Sequence, residues 1–225
     1  MKIKGLIEES MLDWPGKIAM LLFTGGCNLN CPYCHNPQFV ENYEQMPDIS
    51  QDDIFEMLKR KKNWLDGIVI SGGEPTLQND LPLFLMDVKQ MGYKTKIETN
   101  GTNSKMIEFI LSNELADCIS MDIKWSPEKY NHHSSDIMES IRLLKSSGID
   151  YEFNTTVVPG IVEKEDIIDI CRLIKGAKKY TLQQFKSEKI SLLDKSFMDK
   201  KPYSREELRG FLQIAKDYVN DVQIR

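Results

Sequence analysis

Little in this sequence points outward, to a membrane, to nucleic acid or to an oxidising compartment. No apolar run approaches the length of a bilayer span. The opening residues, Met1-Lys2-Ile3-Lys4-Gly5, do not read as a signal peptide, so none is expected. The net charge of −5 offers no basic face, so neither a nucleic acid backbone nor an anionic membrane is expected as partner. Internal repeats and low-complexity tracts are absent. Cysteines number five, and Cys118 and Cys171 stand alone. That distribution argues against a disulfide framework and predicts a reducing, cytoplasmic setting with metal binding. Hydrophobic residues at 41% and charged residues at 28% are ordinary for a globular chain. A length of 225 residues suffices for one domain of α/β-barrel size, spanning 1–225.

The other three cysteines are concentrated. In Cys27-Asn28-Leu29-Asn30-Cys31-Pro32-Tyr33-Cys34-His35-Asn36-Pro37 they form a CxxxCxxC loop. Thiolates are soft ligands, and a short loop can turn all three onto one metal centre. Ordinary iron–sulfur clusters take four cysteines. A four-iron cluster held by three leaves one iron open, and an open coordination site suggests chemistry. Two blander readings compete. A structural zinc site with His35 as fourth ligand normally draws on a second knuckle, and no second CxxC or HxxxH exists here. An electron carrier calls for a fourth cysteine.

The spacing resembles the cysteine motif of the radical S-adenosylmethionine (SAM) enzymes. The words GGCNLNCPYCHNP are similar to those of the activating enzymes of glycyl-radical proteins, namely the activators of pyruvate formate-lyase and of anaerobic ribonucleotide reductase. Ser10-Met11-Leu12-Asp13-Trp14-Pro15-Gly16-Lys17 and Leu182-Gln183-Gln184-Phe185 resemble the ribonucleotide-reductase branch. Taken singly, Asp13 and Trp14 read as a plain hairpin turn.

Read in order, residues 2–8 and 17–24 form strands. The second, Ile18 to Phe23, is continuously apolar, as a strand buried on both faces should be. It delivers the cysteine loop to its C-terminal end, where barrel enzymes keep their sites. A helix follows Ser50, with Ile54, Leu58 and Leu65 inward. Strand 67–71 leads to Gly72-Gly73-Glu74-Pro75-Thr76. Glycines allow close backbone approach to a ligand, and Glu74 offers a carboxylate to an ammonium group. Helix 79–91 takes Asn79 or Asp80 as cap. Strand 94–99 ends in Glu98-Thr99-Asn100-Gly101. Helix 103–113, strand 117–122, helix 135–147, strand 150–158, helix 163–175 and strand 179–186 continue the alternation. A last helix opens on a Ser204/Glu207 capping box, and strand 221–224 closes the chain. Cys118 and Cys171 read as core, and His132 and His133 as surface. Six strand–helix units predict a parallel sheet with helices outside it. Eight would close a full barrel. Six give an α/β fold of the open, partial (β/α)6 barrel type that the resemblance also implies, preceded by an N-terminal strand hairpin.

The resemblance implies roles. Cys27, Cys31 and Cys34 would bind a [4Fe-4S] cluster whose open iron takes SAM. Gly72, Gly73 and Glu74 would receive the methionine amino group, and Tyr33 would pack near the adenine. Glu98, Thr99 and Asp122 would hold a monovalent cation beside SAM, and Lys124 completes the Asp-Ile-Lys segment that contacts SAM. Glu is longer than the usual Asp at position 98, and Glu98 and Thr99 read equally well as a polar strand end. Asp122 and Lys124 alternate with apolar residues, so a solvent-facing reading also stands. Pyruvate formate-lyase activators place a SAM-contacting His near the sixth strand, and Gln184 is the substitute here. Relatives often carry Arg where Asn154 stands, and Asn cannot replace that charge. The implied activity is reductive cleavage of SAM, with an electron from flavodoxin or ferredoxin. Hydrogen is then taken from a backbone glycine of a partner enzyme. The expected partner is anaerobic ribonucleotide reductase. Alternatives are pyruvate formate-lyase, another glycyl-radical enzyme, a small-molecule radical SAM reaction, or a plain iron–sulfur or zinc binding module.

Overall fold

The computed structural model describes residues 1–187 and 192–225. The chain divides into two compact units whose segments alternate along the sequence. The first comprises Met1–Asn30, Asn36–Thr99 and Phe109–Ile119; the second comprises Cys31–His35, Asn100–Glu108 and Ser120–Arg225.

In the first unit, β1 (Ile3–Ser10) runs antiparallel to β2 (Ala19–Thr24). Parallel pairing then joins β2 to β3 (Gly67–Gly72) and β3 to β4 (Lys94–Thr99). The apolar words AMLLF and GIVI are buried as expected of strands covered on both faces. Helix α1 (Gln51–Arg60) links β2 to β3. Ser50 caps it by accepting from the Asp52 N–H at 3.2 Å, and Ile54 and Leu58 face inward one turn apart. Helix α2 (Leu81–Gln90) links β3 to β4 with Pro82 in its first turn. The side chain of Asp80 makes no cap bond to α2; its carboxylate takes the Met1 ammonium instead.

The loop after β1 does more than turn the chain. Trp14 is buried against Ala19, Leu21, Val69 and Cys118, with Phe23 packed on the same cluster. A bulky ring thus seals the base of the strands.

Helix α3 (Ser104–Ser112) and strand β5 (Cys118–Asp122) each have residues in both units. In the second unit, β6 (Asp150–Val157), β7 (Lys179–Gln184) and β8 (Asp221–Ile224) pair in parallel. Helix α4 (Ser134–Ser146) precedes β6 and buries Ile137, Ile141 and Leu144. Helix α5 (Lys164–Leu173) buries Ile167, Ile170 and Cys171, and burial pushes the Cys171 thiol up to about 12. Helix α6 (Arg205–Lys216) opens on the expected capping box: Ser204 Oγ accepts from the Glu207 N–H at 3.2 Å, and Glu207 Oε2 accepts from the Ser204 N–H at 2.7 Å.

The strands stand in chain order, β1 through β8, with β1 and β8 at the sheet's edges. From β2 to α6 six strand–helix units alternate, so the fold is the α/β, partial (β/α)6 type.

Candidate active site

The strand ends carry the chemistry. In the first unit, parallel pairing continues past β2 and β3 into the segments that follow them. The Gly73 N–H donates to the Thr24 carbonyl at 2.8 Å, and the Glu74 N–H to the Gly26 carbonyl at 2.7 Å. No side chain fits in this seam. A Cβ on Gly73 would lie 2.0 Å from the Gly26 oxygen, and Gly72 has φ +116° with a Cβ position 2.2 Å from the Thr24 nitrogen. The glycines therefore lock the GGE turn onto the residue preceding Cys27. Cys27 is half-buried, and its Sγ lies 3.4 Å from the donating Leu29 N–H. It lines an open cavity of ≈ 650 Å³ with Gly25, Gly26, Tyr43 and Gln78.

Glu74 is only 1% exposed. Its Oε1 accepts from the Thr76 N–H at 3.1 Å, the Thr76 hydroxyl at 2.5 Å and the Thr99 hydroxyl at 2.6 Å. Thr99, at the end of β4, thus turns to Glu74. Its neighbour Glu98 turns the other way, as strand alternation requires. Glu98 joins Asp13, Asn36, Ser71 and Phe23 around a second cavity of ≈ 620 Å³. There Glu98 Oε1 stands 3.7 Å from the ammonium of Lys96, a lysine 1% exposed whose Nζ also donates to the Asp13 carbonyl at 2.7 Å. Glu98 and Thr99, adjacent in sequence, have different partners.

In the second unit, the Cys34 N–H donates to the Cys31 carbonyl at 3.0 Å, closing a turn over Pro32 and Tyr33. Cys31 and Tyr33 are buried and Cys34 is half-buried. The Tyr33 hydroxyl donates to the Lys124 carbonyl at 3.4 Å, and burial, reinforced by the nearby Cys31 sulfur, pushes the phenol well above its usual range. The Lys124 ammonium binds Asp122 Oδ2 at 2.6 Å. Burial is the largest single effect and opposes its charge, but Asp122, Tyr33 and Cys31 together prevail and hold Lys124 well above the usual lysine range. The hydroxyl of buried Tyr130 accepts from the Lys124 N–H at 2.5 Å, fixing the segment after β5. His35 lies over Phe185 and its Nε2 donates to the Lys186 carbonyl at 3.3 Å. Among the described residues, no three His, Cys, Asp or Glu side chains gather around one point to hold a single metal ion.

Two residues have structural partners. Gln184 is half-buried, with Nε2 donating to the Tyr203 carbonyl at 2.9 Å. Asn154 donates to Ser120 Oγ at 2.6 Å; Ser120 in turn donates to Glu152, which pairs with Lys179 at 3.1 Å. Sequence reasoning passed over Thr76 and Lys96. Thr76 stands two places after Glu74, and Lys96 two places before Glu98 on the same strand face, so both spacings carried the signal.

Comparison with known proteins bears on this arrangement. Residues 21–174 match the radical SAM superfamily. A protein of Methanocaldococcus jannaschii, provisionally named a glycyl-radical enzyme activating enzyme, is 35% identical over 99% of this chain and 95% of its own. The chain is a radical SAM protein of the glycyl-radical-activating branch. The pyruvate formate-lyase-activating enzyme of Clostridium pasteurianum is 28% identical over 99% of this chain and 90% of its own. In fold, the radical SAM chain resembles the crystal structure of QueE from Escherichia coli, with TM-score 0.62 over 99% of this chain and 92% of that one, at 15% identity. The protein is accordingly an enzyme whose family works with a [4Fe-4S] cluster and SAM.

Proposed function

We propose that the protein is a single-domain activase that makes a glycyl radical in a partner enzyme, with anaerobic ribonucleotide reductase as the partner. One observation carries the reading: the GGE turn is paired backbone to backbone with the residue before Cys27, at 2.7 Å from Glu74 N to Gly26 O. The ligand loop of a cluster and the turn that receives SAM are thereby held in one register.

The donor set fits the cofactor. Three thiols on a short loop suit soft iron, and each thiolate of a four-iron cluster takes its own iron, so the three need not converge on a point. Cys27, Cys31 and Cys34 would hold the cluster. A cluster held there with SAM would supply radical chemistry able to take hydrogen from carbon. Gly72 and Gly73 let the turn close onto Thr24 and Gly26 and so set it beside Cys27 for the amino end of SAM, which the Glu74 carboxylate, fixed by Thr76 and Thr99, would orient. Tyr33 walls the adenine side, and Asp122 with Lys124 supplies a charged pair toward the carboxylate end. Gln184 serves as a strut for its strand end.

The reductant is flavodoxin or ferredoxin, and the setting is the cytoplasm. Among the described residues no helix is long and apolar enough to cross a membrane. The SMLDWPGK and LQQF words support ribonucleotide reductase as partner. Pyruvate formate-lyase is the second reading, on the full-length likeness to its activator.

The test is anaerobic. The protein is reconstituted with iron and sulfide, reduced with dithionite and given SAM, and 5′-deoxyadenosine is quantified. Product that disappears in Cys31→Ala supports the reading. A glycyl radical signal appearing in purified anaerobic ribonucleotide reductase, and not in pyruvate formate-lyase, fixes the partner. A fully loaded cluster that yields no product would sink the proposal.

A further inference from the structure

The residues expected to hold a monovalent metal ion do not fit that task here. Hard cations are bound by oxygen ligands that are ready to receive them. Glu98 Oε1 has the Lys96 ammonium 3.7 Å away, and Asp122 Oδ2 has the Lys124 ammonium 2.6 Å away. The Thr99 hydroxyl is given to Glu74 Oε1 at 2.6 Å. A metal ion drawn to either carboxylate would meet a positive charge already in contact with it.

Lys96 is not a surface cation that happened to fold over. It is 1% exposed, sits two residues before Glu98 on the same face of β4, and is tethered by donation to the Asp13 carbonyl at 2.7 Å. Asp13 belongs to the loop that Trp14 anchors in the core. Lysine is seldom buried without a partner, and this one is supplied with a carboxylate and a carbonyl oxygen. The Lys124 ammonium has Asp122 Oδ2 as its partner, and the Lys124 N–H donates to the Tyr130 hydroxyl, which fixes the segment.

We propose that this chain dispenses with the monovalent metal ion: Glu98 and Asp122 are each held by a lysine of their own, Lys96 and Lys124, and neither carboxylate is open to it. The inference rests on the radical SAM activase reading but concerns a property that reading leaves open. With both carboxylates so held, binding of SAM would not depend on which alkali ion surrounds the protein.

The experiment uses the reconstituted protein exchanged into tetramethylammonium chloride. The dissociation constant of SAM is measured by equilibrium dialysis, with sodium or potassium chloride replacing the tetramethylammonium salt at constant ionic strength. Formation of 5′-deoxyadenosine is followed in parallel. The expected result is a SAM affinity that changes less than about twofold among the three salts. In Lys96→Met, or in Lys124→Met if the first does not fold, the freed carboxylate should make affinity about tenfold higher with potassium or sodium than in tetramethylammonium. Wild-type affinity that rises about tenfold with either metal ion would overturn the proposal, as would a variant whose affinity no alkali ion raises. Product formed only with sodium or potassium overturns the inference and leaves the activase reading standing. Absence of SAM binding and product in every salt, with a full iron load, removes that reading and this inference with it.

Discussion

The Thr99 hydroxyl donates to Glu74 Oε1 at 2.6 Å, joining the end of β4 to the turn after β3. Both residues are buried, and the same oxygen also takes the N–H and hydroxyl of Thr76. A carboxylate with three donors on one oxygen is fixed in orientation before any ligand arrives. Thr99→Val keeps the shape and removes the donor. A hydrogen bond to a charged group contributes about 1.5–3 kcal/mol. The variant should bind SAM about 10- to 100-fold more weakly. Thr99→Ser should restore most of the affinity, because it restores the hydroxyl. Equilibrium dialysis of SAM against the three proteins checks this, and unchanged affinity in Thr99→Val would show that the link to Glu74 is dispensable.

Glycine positions separate backbone function from ordinary tolerance. Gly73→Ala would place a methyl 2.0 Å from the Gly26 carbonyl oxygen, so the GGE turn must pull away from the cysteine loop. The expected outcome is a folded protein with less than half the iron of wild type and no 5′-deoxyadenosine. Gly210→Ala is the control. It lies inside α6 with open space where its methyl would go, and alanine there gains about 1 kcal/mol of helix propensity. Its melting temperature should rise by about 2–4 °C, with iron content and activity unchanged.

How much could be read from the sequence follows from the range of the interactions involved. Period and turn chemistry are local, so the alternation of strands and helices was legible, and β4 and β8 begin and end where their residues predict. The Ser204/Glu207 box, three residues apart, was legible for the same reason. What failed was non-local. Asp80 does stand at the N-cap of α2, but its carboxylate is taken by the Met1 ammonium, far away in sequence, and makes no cap bond. Asp13 and Trp14 looked like turn residues because nothing local says that the ring packs on β2 and β3. In the candidate site, motif words pointed to Cys27, Gly73 and Glu74, and the backbone of Gly73 and Glu74 pairs with Thr24 and Gly26 beside Cys27. The words could not tell that Glu98 and Thr99 part company, since that depends on what lies on each face of β4. Gln184 likewise finds a carbonyl partner, Tyr203, in a segment beyond its own strand.

Acid should weaken the second unit through Asp166. Burial would raise its carboxyl, but donation from Lys129 at 2.8 Å and from the Glu163 N–H at 2.9 Å prevails and holds it below its ordinary 3.8. A carboxyl depressed in the folded state stabilises the fold above its unfolded value and loses that contribution as pH falls through the folded value. Asp166→Asn should therefore lower stability at pH 7, where the loss of a helix cap costs about 1 kcal/mol. The gap between variant and wild type should narrow as pH falls below 3.8, the ordinary value. Urea unfolding at pH 7, 5 and 3 checks the sign: a gap that widens on acidification would contradict this account of α5.

Trp14 gives the sharpest distinction between a turn and a plug. A residue that merely shaped the hairpin would tolerate substitution, because Pro15 and Gly16 carry the turn chemistry. Trp14 instead packs against Ala19, Leu21, Val69 and Cys118, and the Lys17 N–H donates to its carbonyl at 3.0 Å. Deleting a buried aromatic costs about 3–5 kcal/mol, since the lost contacts and the cavity add. Trp14→Ala should therefore unfold at markedly lower denaturant than wild type, with Trp14→Phe recovering a large part of the difference. The loss should also reach the Lys96 tether, because Asp13 supplies the carbonyl that Lys96 grips. The SAM affinity of Trp14→Ala should consequently fall further than that of Trp14→Phe, whereas a tolerant Trp14→Ala would return the loop to the status of a simple turn.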